Sequence, residues 1–490
     1  MSSSAKTTAD PFPREWINFV PIKPAIAVGF VVLLVISAYF SPHIWQHGEA
    51  REALVIHDIL NNDRWILPLR NDELPSKPVL YHWIAASFAI LIGLSDFAIR
   101  LPSLLGAALM LWLTYSLSAL DNKASAGLLA AGMLGLTFEF WNSGTEARVD
   151  MLFAALVGLS LTGWYLWYRS GAAFARATAY LALALAVLTK GPAGAVLPAI
   201  VIVCFVAVER DFAKLVAFFS WRWIFIVLLI DLSWYVAAYQ RGGVDFWNKQ
   251  IVYENLQRFL GTGDFEAKTG NLSQGVSLMT HLFPWSIVLL FSFIQSLRGR
   301  RQDPVCRFLH VWWLTILLFF LFASGQRAVY LLPIYPAVAL LTAREVRTWI
   351  AAGHGRASGP IRFDRNVAAG AFIALFNVSV ALAVPISRTV REDSNIQEEF
   401  VDDVIEIVPR NARLYAAPDF PESTLLVLAY RLDRNIPRQA PECEEDYYYL
   451  MSGTASHSCW TTRPPAILAK RKTYLLEKMP TKIQNHTTVQ

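Results

Sequence analysis

Residues 151–168 read MLFAALVGLSLTGWYLWY, eighteen consecutive positions without a charged side chain. Wound as an α-helix, that stretch is about 27 Å long, close to the thickness of a bilayer's hydrocarbon core. The pattern recurs on both sides of it, at Ala25–Phe40, Val79–Leu94, Leu101–Leu120, Ala124–Trp141, Ala177–Leu188, Ala193–Val208, Trp221–Tyr239, Val276–Ile294, Phe308–Ala323, Tyr330–Ala343 and Val367–Pro385. Over 490 residues, 55% are hydrophobic and only 17% charged, against about 25% charged in a soluble domain. The shortage of charge runs along most of the chain. It excludes a soluble globular enzyme, a disordered chain and a secreted disulfide scaffold. Alternating ten-residue strands of the outer-membrane barrel kind are not visible. The expectation is an all-α polytopic membrane protein.

Charge sets the orientation. The formal net charge is +5, and Arg and Lys gather in short loops between apolar runs, which points to membrane topology and not to nucleic acid. The basic loops are Arg169–Arg176, Glu209–Arg222, Arg298–Arg307 and Arg344–Arg365. With all four in the cytoplasm, the long polar segments Ser41–Lys77 and Arg241–Gly275 lie outside, as does the tail after Arg388. One conflict follows. Counting back from Arg169 puts Asp150 outside, whereas counting forward from Glu49 puts it inside, so one run between Leu101 and Trp141 does not cross fully. About eleven to thirteen spans are expected. The segments are a cytoplasmic stretch 1–24, a membrane domain 25–386 with external loops 41–78 and 241–275, and an external domain 387–490. No cleavable leader is visible before the first apolar run.

In that tail, Arg413–Ala417 and Tyr447–Met451 have strand character and Glu422–Asp433 has helical spacing, which suggests a small α/β unit. Four cysteines are present and none forms a CxxC pair. Cys443 and Cys459 would be able to pair in an exported tail, or remain thiols.

The first external loop is the most informative polar segment. It reads His47-Gly48-Glu49-Ala50-Arg51-Glu52-Ala53-Leu54-Val55-Ile56-His57-Asp58-Ile59-Leu60. Ala53, Ile56, Ile59 and Leu60 share one helical face, and Arg51, Glu52 and Asp58 lie off it, so a helix on the membrane surface is expected. Glu49 stands at its start, where a helix N-terminus favours a carboxylate; it reads as a first-turn charge or as an acid–base group. Lys77 stands before Pro78 at the mouth of the next run, either as a snorkelling anchor or as a phosphate contact. Further ionisable or polar groups border apolar runs: Glu146, Arg148 and Asp150; Lys190; Arg258; His281 and Trp285; Arg327 and Tyr330. Such groups are costly near a bilayer and mark functional cavities. Neither a phosphate-binding GxxxxGK[ST] loop nor a GxGxxG turn is present, and no HExxH or paired-Cys motif marks zinc. An activated substrate would therefore carry its activating group on a lipid.

Taken together in order, Gly48-Glu49-Ala50-Arg51-Glu52-Ala53, Trp65-Ile66-Leu67-Pro68, Lys77-Pro78-Val79-Leu80-Tyr81-His82-Trp83, Ala98-Ile99-Arg100-Leu101-Pro102-Ser103, Leu188-Thr189-Lys190-Gly191-Pro192 and Tyr330-Leu331-Leu332-Pro333-Ile334-Tyr335-Pro336-Ala337 resemble the bacterial aminoarabinose transferase / protein O-mannosyltransferase-like family of the GT-C glycosyltransferase superfamily. The resemblance implies a GT-C-like helical bundle with surface helices in the first periplasmic loop and a small C-terminal α/β periplasmic domain. It implies an inner-membrane enzyme, active at the periplasmic face, that transfers a sugar from a polyprenyl-phosphate donor with inversion. Lipid A or another glycolipid is the expected acceptor. The family often begins the first motif with Asp-Glu; here Gly48 stands in the Asp position.

That chemistry assigns roles. Departure of the sugar puts a second negative charge on the lipid phosphate, so cations already in place stabilise the transition state most. Lys77, Arg51, Arg258, Arg327 and Lys190 are the candidates, with Tyr330 as hydrogen-bond donor. The acceptor hydroxyl needs a base: Glu49 first, with Asp150 or Glu146 as alternative or helper. Tyr81, His82, His281 and Trp285 are expected to face sugar or acceptor. A divalent metal would require folding to gather His47, His57 and His82. The competing reading is a transporter or flippase of an anionic lipid, which would use interfacial cations too; no pair of broken helices in matching halves supports it.

Overall fold

A computed structural model describes residues 24–41, 43–44, 46–118, 124–135, 137–257, 260–262, 282, 285–299, 303–323, 327–353, 386, 396–438, 447–452, 466–471 and 474–479. The chain divides into two compact units. One comprises residues 1–39, 76–81 and 102–384, the other residues 40–75, 82–101 and 385–490.

The first unit is helical. Its described elements are α1 (Pro24–Tyr39), the end of α4 (Asp96–Leu117), α5 (Ala124–Gly135), α6 (Phe138–Thr145), α7 (Val149–Ser170), α8 (Ala173–Lys190), α9 (Ala193–Glu209), α10 (Phe212–Phe218), α11 (Trp221–Trp247), a π-helix (Asn248–Gln257), α12 (Trp285–Leu297), α13 (Pro304–Phe322), a 3-10 helix (Ala328–Ile334) and α14 (Tyr335–Gly353). Among the described residues, six helical segments are long and apolar enough to cross a membrane: 96–117, 149–170, 173–190, 221–257, 304–322 and 329–349. The run that opened the sequence analysis is α7, the most deeply buried of them. Its aromatic end stacks Tyr165 on Phe308 at 4.2 Å between centroids and wedges Trp164 against Phe205. At Gly163 a Cβ would stand 2.9 Å from the backbone of Ala175 and Ala179, so the missing side chain lets α7 and α8 approach closely.

The basic loops meet at one end of this unit. Arg307 pairs with Glu209, Arg344 with Asp303 at 3.0 Å, and Arg176 donates to the Ala217 carbonyl. Asp150 begins α7 and Lys190 ends α8, so both lie at the opposite end, as the charge bias requires. The counting conflict resolves at 124–141. That stretch is divided into α5 and α6, of 12 and 8 residues, about 18 and 12 Å long. Neither helix spans a bilayer alone. The expected external segment 241–275 also begins differently: α11 continues to Trp247 and passes directly into the π-helix. The expected run Val367–Pro385 lies outside the described residues.

The second unit contains α2 (His47–Asn62), most of α3 (Leu80–Ile92), the start of α4, and the tail. The tail forms α15 (Ile396–Ile407), β1 (Leu414–Ala416), α16 (Glu422–Arg431), β2 (Tyr447–Ser452), β3 (Ala466–Arg471) and β4 (Tyr474–Met479). The sheet order is β1-β2-β4-β3. β1 runs parallel to β2 with Leu414 opposite Tyr448, and the other pairs are antiparallel. Both strands and the helix expected in the tail are present; α15, β3 and β4 were not anticipated. Cys443 and Cys459 lie outside the described residues.

The helix expected from the first loop is α2, but its polar side is also covered. Glu49, Glu52 and Asp58 are buried together with Ala53, Ile56 and Ile59: Arg100 of α4 meets Glu49, His82 of α3 meets Glu52, and α16 packs on the same helix. Asp58 accepts from the Leu69 amide and from Asn62, both at 2.7 Å. It thereby ties down the loop that follows. A spacing argument sees one apolar face; it does not see a second layer of protein on the polar one.

Candidate active site

The helical unit places its ionisable groups at the ends of helices. Gly191 adopts φ +88°, closing α8 so that Lys190 is its last residue. Lys190 Nζ donates to Asp150 Oδ1 at 2.6 Å, across from the first turn of α7. The second Asp150 oxygen faces Arg148 Nε at 3.4 Å, and Arg148 reaches Glu146 at 3.7 Å. The Lys190 ammonium also lies over two rings, 4.3 Å from the centroid of Tyr330 and 4.9 Å from that of Phe153. Such cation–π contacts are worth most where water is scarce.

Lys77 joins the same region. Its ammonium donates to Glu254 Oε2 at 3.1 Å, and Glu254 projects from the π-helix. Lys77, Lys190, Glu254, Asn255 and Tyr330 share the wall of a cavity of about 470 Å³ with Phe153, Val196, Leu256, Phe319 and Phe320. The cavity therefore joins a corner of ion-paired lysines to apolar walls, two surfaces that suit a charged head group on a hydrocarbon chain. In the sequence Glu254 sits in a polar stretch with no motif around it, and nothing there linked it to Lys77, 177 residues away.

The loop-and-tail unit holds a second set of ion pairs, of different character. Arg100 grips Glu49 with two bonds, Nε to Oε1 at 2.8 Å and Nη2 to Oε2 at 2.9 Å, and both side chains are 2% exposed. Planar, two-point pairing of this kind is strong and directional. Glu52 accepts from Arg51 at 2.8 Å and pairs with His82 at 2.8 Å. Burial pushes the Glu52 carboxyl up; Arg51 and His82 overcome that and bring it down to about 2. His57 bonds Asp433 at 2.8 Å, and His47 lies 4.0 Å from Glu422. Burial raises the Tyr430 hydroxyl, and neighbouring Asp96, to which it donates, raises it further. The three histidines considered for a metal thus face three different carboxylates. Among the described residues no group of three or more His, Cys, Asp or Glu side chains could hold a metal ion.

The other expected residues fall as follows. Tyr81 is fully buried, its hydroxyl 3.1 Å from Ser103 Oγ, which in turn donates to the Arg148 carbonyl. His82 is buried against Glu52, and Arg51 is held there as well. Arg327 is exposed and precedes the 3-10 helix that carries Tyr330. Trp285 opens α12 and lines a separate, small void beside Leu282 and Tyr335. Arg258 and His281 lie outside the described residues.

Comparison with known proteins agrees with this architecture. A family described as dolichyl-phosphate-mannose-protein mannosyltransferase matches residues 76–234, a segment that contains Lys77, Asp150 and Lys190. The chain is 28% identical over 385 residues to the undecaprenyl phosphate-alpha-4-amino-4-deoxy-L-arabinose arabinosyl transferase of Shewanella sediminis, covering 76% of this chain and 67% of that protein. It is 28% identical over 315 residues to the enzyme of the same name from Serratia proteamaculans, covering 63% of this chain and 56% of that one. The matched segments thus span a little over half to two thirds of these relatives' length. The crystal structure of ArnT from Cupriavidus metallidurans bound to undecaprenyl phosphate is similar with a TM-score of 0.74 at 15% identity, covering 96% of this chain and 99% of that chain. At that identity the likeness is one of fold. It extends over nearly the whole chain. The chain is thus similar to the aminoarabinose transferases over 76% of its length and to the protein mannosyltransferase family over residues 76–234, with the fold seen in ArnT.

Proposed function

We propose that the protein is an integral-membrane glycosyltransferase that moves a sugar from a polyprenyl-phosphate carrier to an envelope acceptor, lipid A or another glycolipid, at the periplasmic face of the bacterial inner membrane. The observation that carries this reading is the cavity with Lys77 and Lys190 at one corner and Phe319, Phe320, Val196 and Leu256 on its walls. A polyprenyl chain would lie on the aromatic and aliphatic walls, with its phosphate against the lysines. The donor is a phosphodiester with one negative charge; the leaving lipid phosphate carries two. Preorganised ammonium groups favour the second state most, which is how they accelerate the transfer. The Tyr330 ring under Lys190 keeps that ammonium oriented. Arg327 is a candidate for a further contact as the phosphate arrives.

The base is assigned to Asp150, with Glu146 as helper. Both Glu49 oxygens are already engaged by Arg100 in a sealed environment, which leaves Glu49 poorly placed to take a proton from an acceptor. Asp150 has one oxygen on Lys190 and the other only loosely faced by Arg148, so it retains acceptor capacity. Attack by the deprotonated hydroxyl from the side opposite the phosphate would invert the anomeric centre.

The test is transfer in proteoliposomes, with radiolabelled undecaprenyl-phosphate sugars and an envelope-lipid extract. Label passing to the extract with the wild type, and not with Lys77→Ala or Asp150→Asn, supports the proposal. Label that crosses the bilayer without changing carrier would favour a flippase instead.

A further inference from the structure

In this structure each cavity lysine already has a carboxylate partner. Lys190 is held by Asp150 at 2.6 Å and Lys77 by Glu254 at 3.1 Å. The Lys77–Glu254 pair is largely withdrawn from water, at 12% and 6% side-chain exposure. An arriving lipid phosphate therefore finds no uncompensated ammonium in these two pairs. It must displace one carboxylate or sit beside it, and a second negative charge on the same ammonium is unfavourable where water is scarce.

The two carboxylates differ in backbone setting. Asp150 stands in the first turn of the most buried helix and has Arg148 as a second cation. Glu254 stands on the π-helix, which follows a break in α11 at Gly243, where φ is +56° and ψ −144°. A π-helix is a rare backbone form found most often at functional sites. The segment lies close to the end of α8: a Cβ on Gly191 would come within 3.3 Å of Asn255 Oδ1. Glu254 itself lines the cavity, whereas Asp150 does not.

We propose that Glu254 is a displaceable counter-ion for Lys77, occupying the contact that the donor phosphate takes and returning to expel the lipid phosphate after transfer. The proposal rests on the assignment of Lys77 to the donor phosphate. It gives Glu254 a role on the leaving-group side of the sugar, distinct from that of the acceptor base. Between turnovers the ion pair keeps Lys77 neutralised in an apolar cavity, and the cavity discriminates against neutral lipids because only an anion replaces the carboxylate.

The experiment measures binding of undecaprenyl phosphate, and of uncharged undecaprenol, to the full-length protein in detergent. Glu254→Gln is expected to bind undecaprenyl phosphate roughly tenfold more tightly, the scale of one like-charge contact removed. Undecaprenol affinity should stay unchanged. In the Lys77→Gln/Glu254→Gln double variant the gain should vanish, since the exchange needs the ammonium. During turnover, Glu254→Gln should show stronger product inhibition by undecaprenyl phosphate, an effect that a merely structural role would not produce. If Glu254→Gln unfolds, Glu254→Asp, one methylene shorter, should show the same changes in smaller measure. Unchanged or weaker phosphate binding by a folded Glu254→Gln overturns the exchange, as does a gain that persists without Lys77. If Lys77→Gln alone binds undecaprenyl phosphate as the wild type does, the assignment of Lys77 falls, and the exchange falls with it.

Discussion

Asp150 and Glu49 are both carboxylates near the start of a helix, and each is paired with a cation far away in sequence. Asp150 meets Lys190, which also borders a cavity and lies over the Tyr330 ring. Glu49 meets Arg100 through both oxygens, and nothing but protein surrounds the pair. The contrast separates two uses of the same chemistry. One pair borders a cavity through its lysine. In the sealed pair, removing either member leaves an uncompensated buried charge. On that ground the role proposed for the first loop's carboxylate is structural, and the base is proposed in the helical unit.

That comparison can be broken most directly at the cavity. Asp150→Asn is expected to lower transfer by about 10²–10⁴-fold, the range for loss of a general base, while Glu49→Gln in a folded protein loses far less. Equal losses measured by steady-state transfer would erase the distinction. At the sealed pair the expected effect is on stability. Arg100→Leu should destabilise the fold by about 3–5 kcal/mol, read as a fall in thermal midpoint. Arg100→Leu with Glu49→Leu should recover most of that loss, because no charge is then left stranded.

Acid sharpens the contrast further. The Glu52 carboxyl is lowered from 4.5 to about 2 by Arg51 and His82, against burial. A lowered folded-state value means that the unfolded chain binds the proton more readily. The contribution is therefore fully present above about pH 4.5 and is lost as the pH falls toward 2. Unfolding measured across that window should steepen with acid in the wild type and less so in Glu52→Gln. The smallest expected change is at Tyr330→Phe. It keeps the ring under Lys190 and removes only a hydroxyl, so a loss of a few-fold in kcat/KM is expected, whereas Tyr330→Ala should cost more because the cation–π contact goes too.

Much of the architecture was readable one residue at a time. Helical runs follow from apolar length, orientation from the placement of Arg and Lys, and the tail's first strand and helix from local spacing. These properties depend on nearby residues and on the solvent each segment meets. The family resemblance was readable too, because its motifs lie in order along the chain. The division of 124–141 into two helices was legible as a contradiction in counting, in a run that differs from its neighbours 101–120 and 151–168 by the single carboxylate of Glu139.

What the sequence by itself determined is a membrane-spanning helical chain with ionisable groups at the ends of its spans, because burial of apolar length and exclusion of charge from hydrocarbon are local demands. Which carboxylate each cation meets was decided only by the tertiary structure. Lys77 finds Glu254 at a separation of 177 residues, Lys190 finds Asp150 at 40, and Arg100 finds Glu49 at 51. A charge carries no information about its partner until helix packing brings the two within a few ångströms. Burial then decides how much stability is lost when one member of a pair is removed.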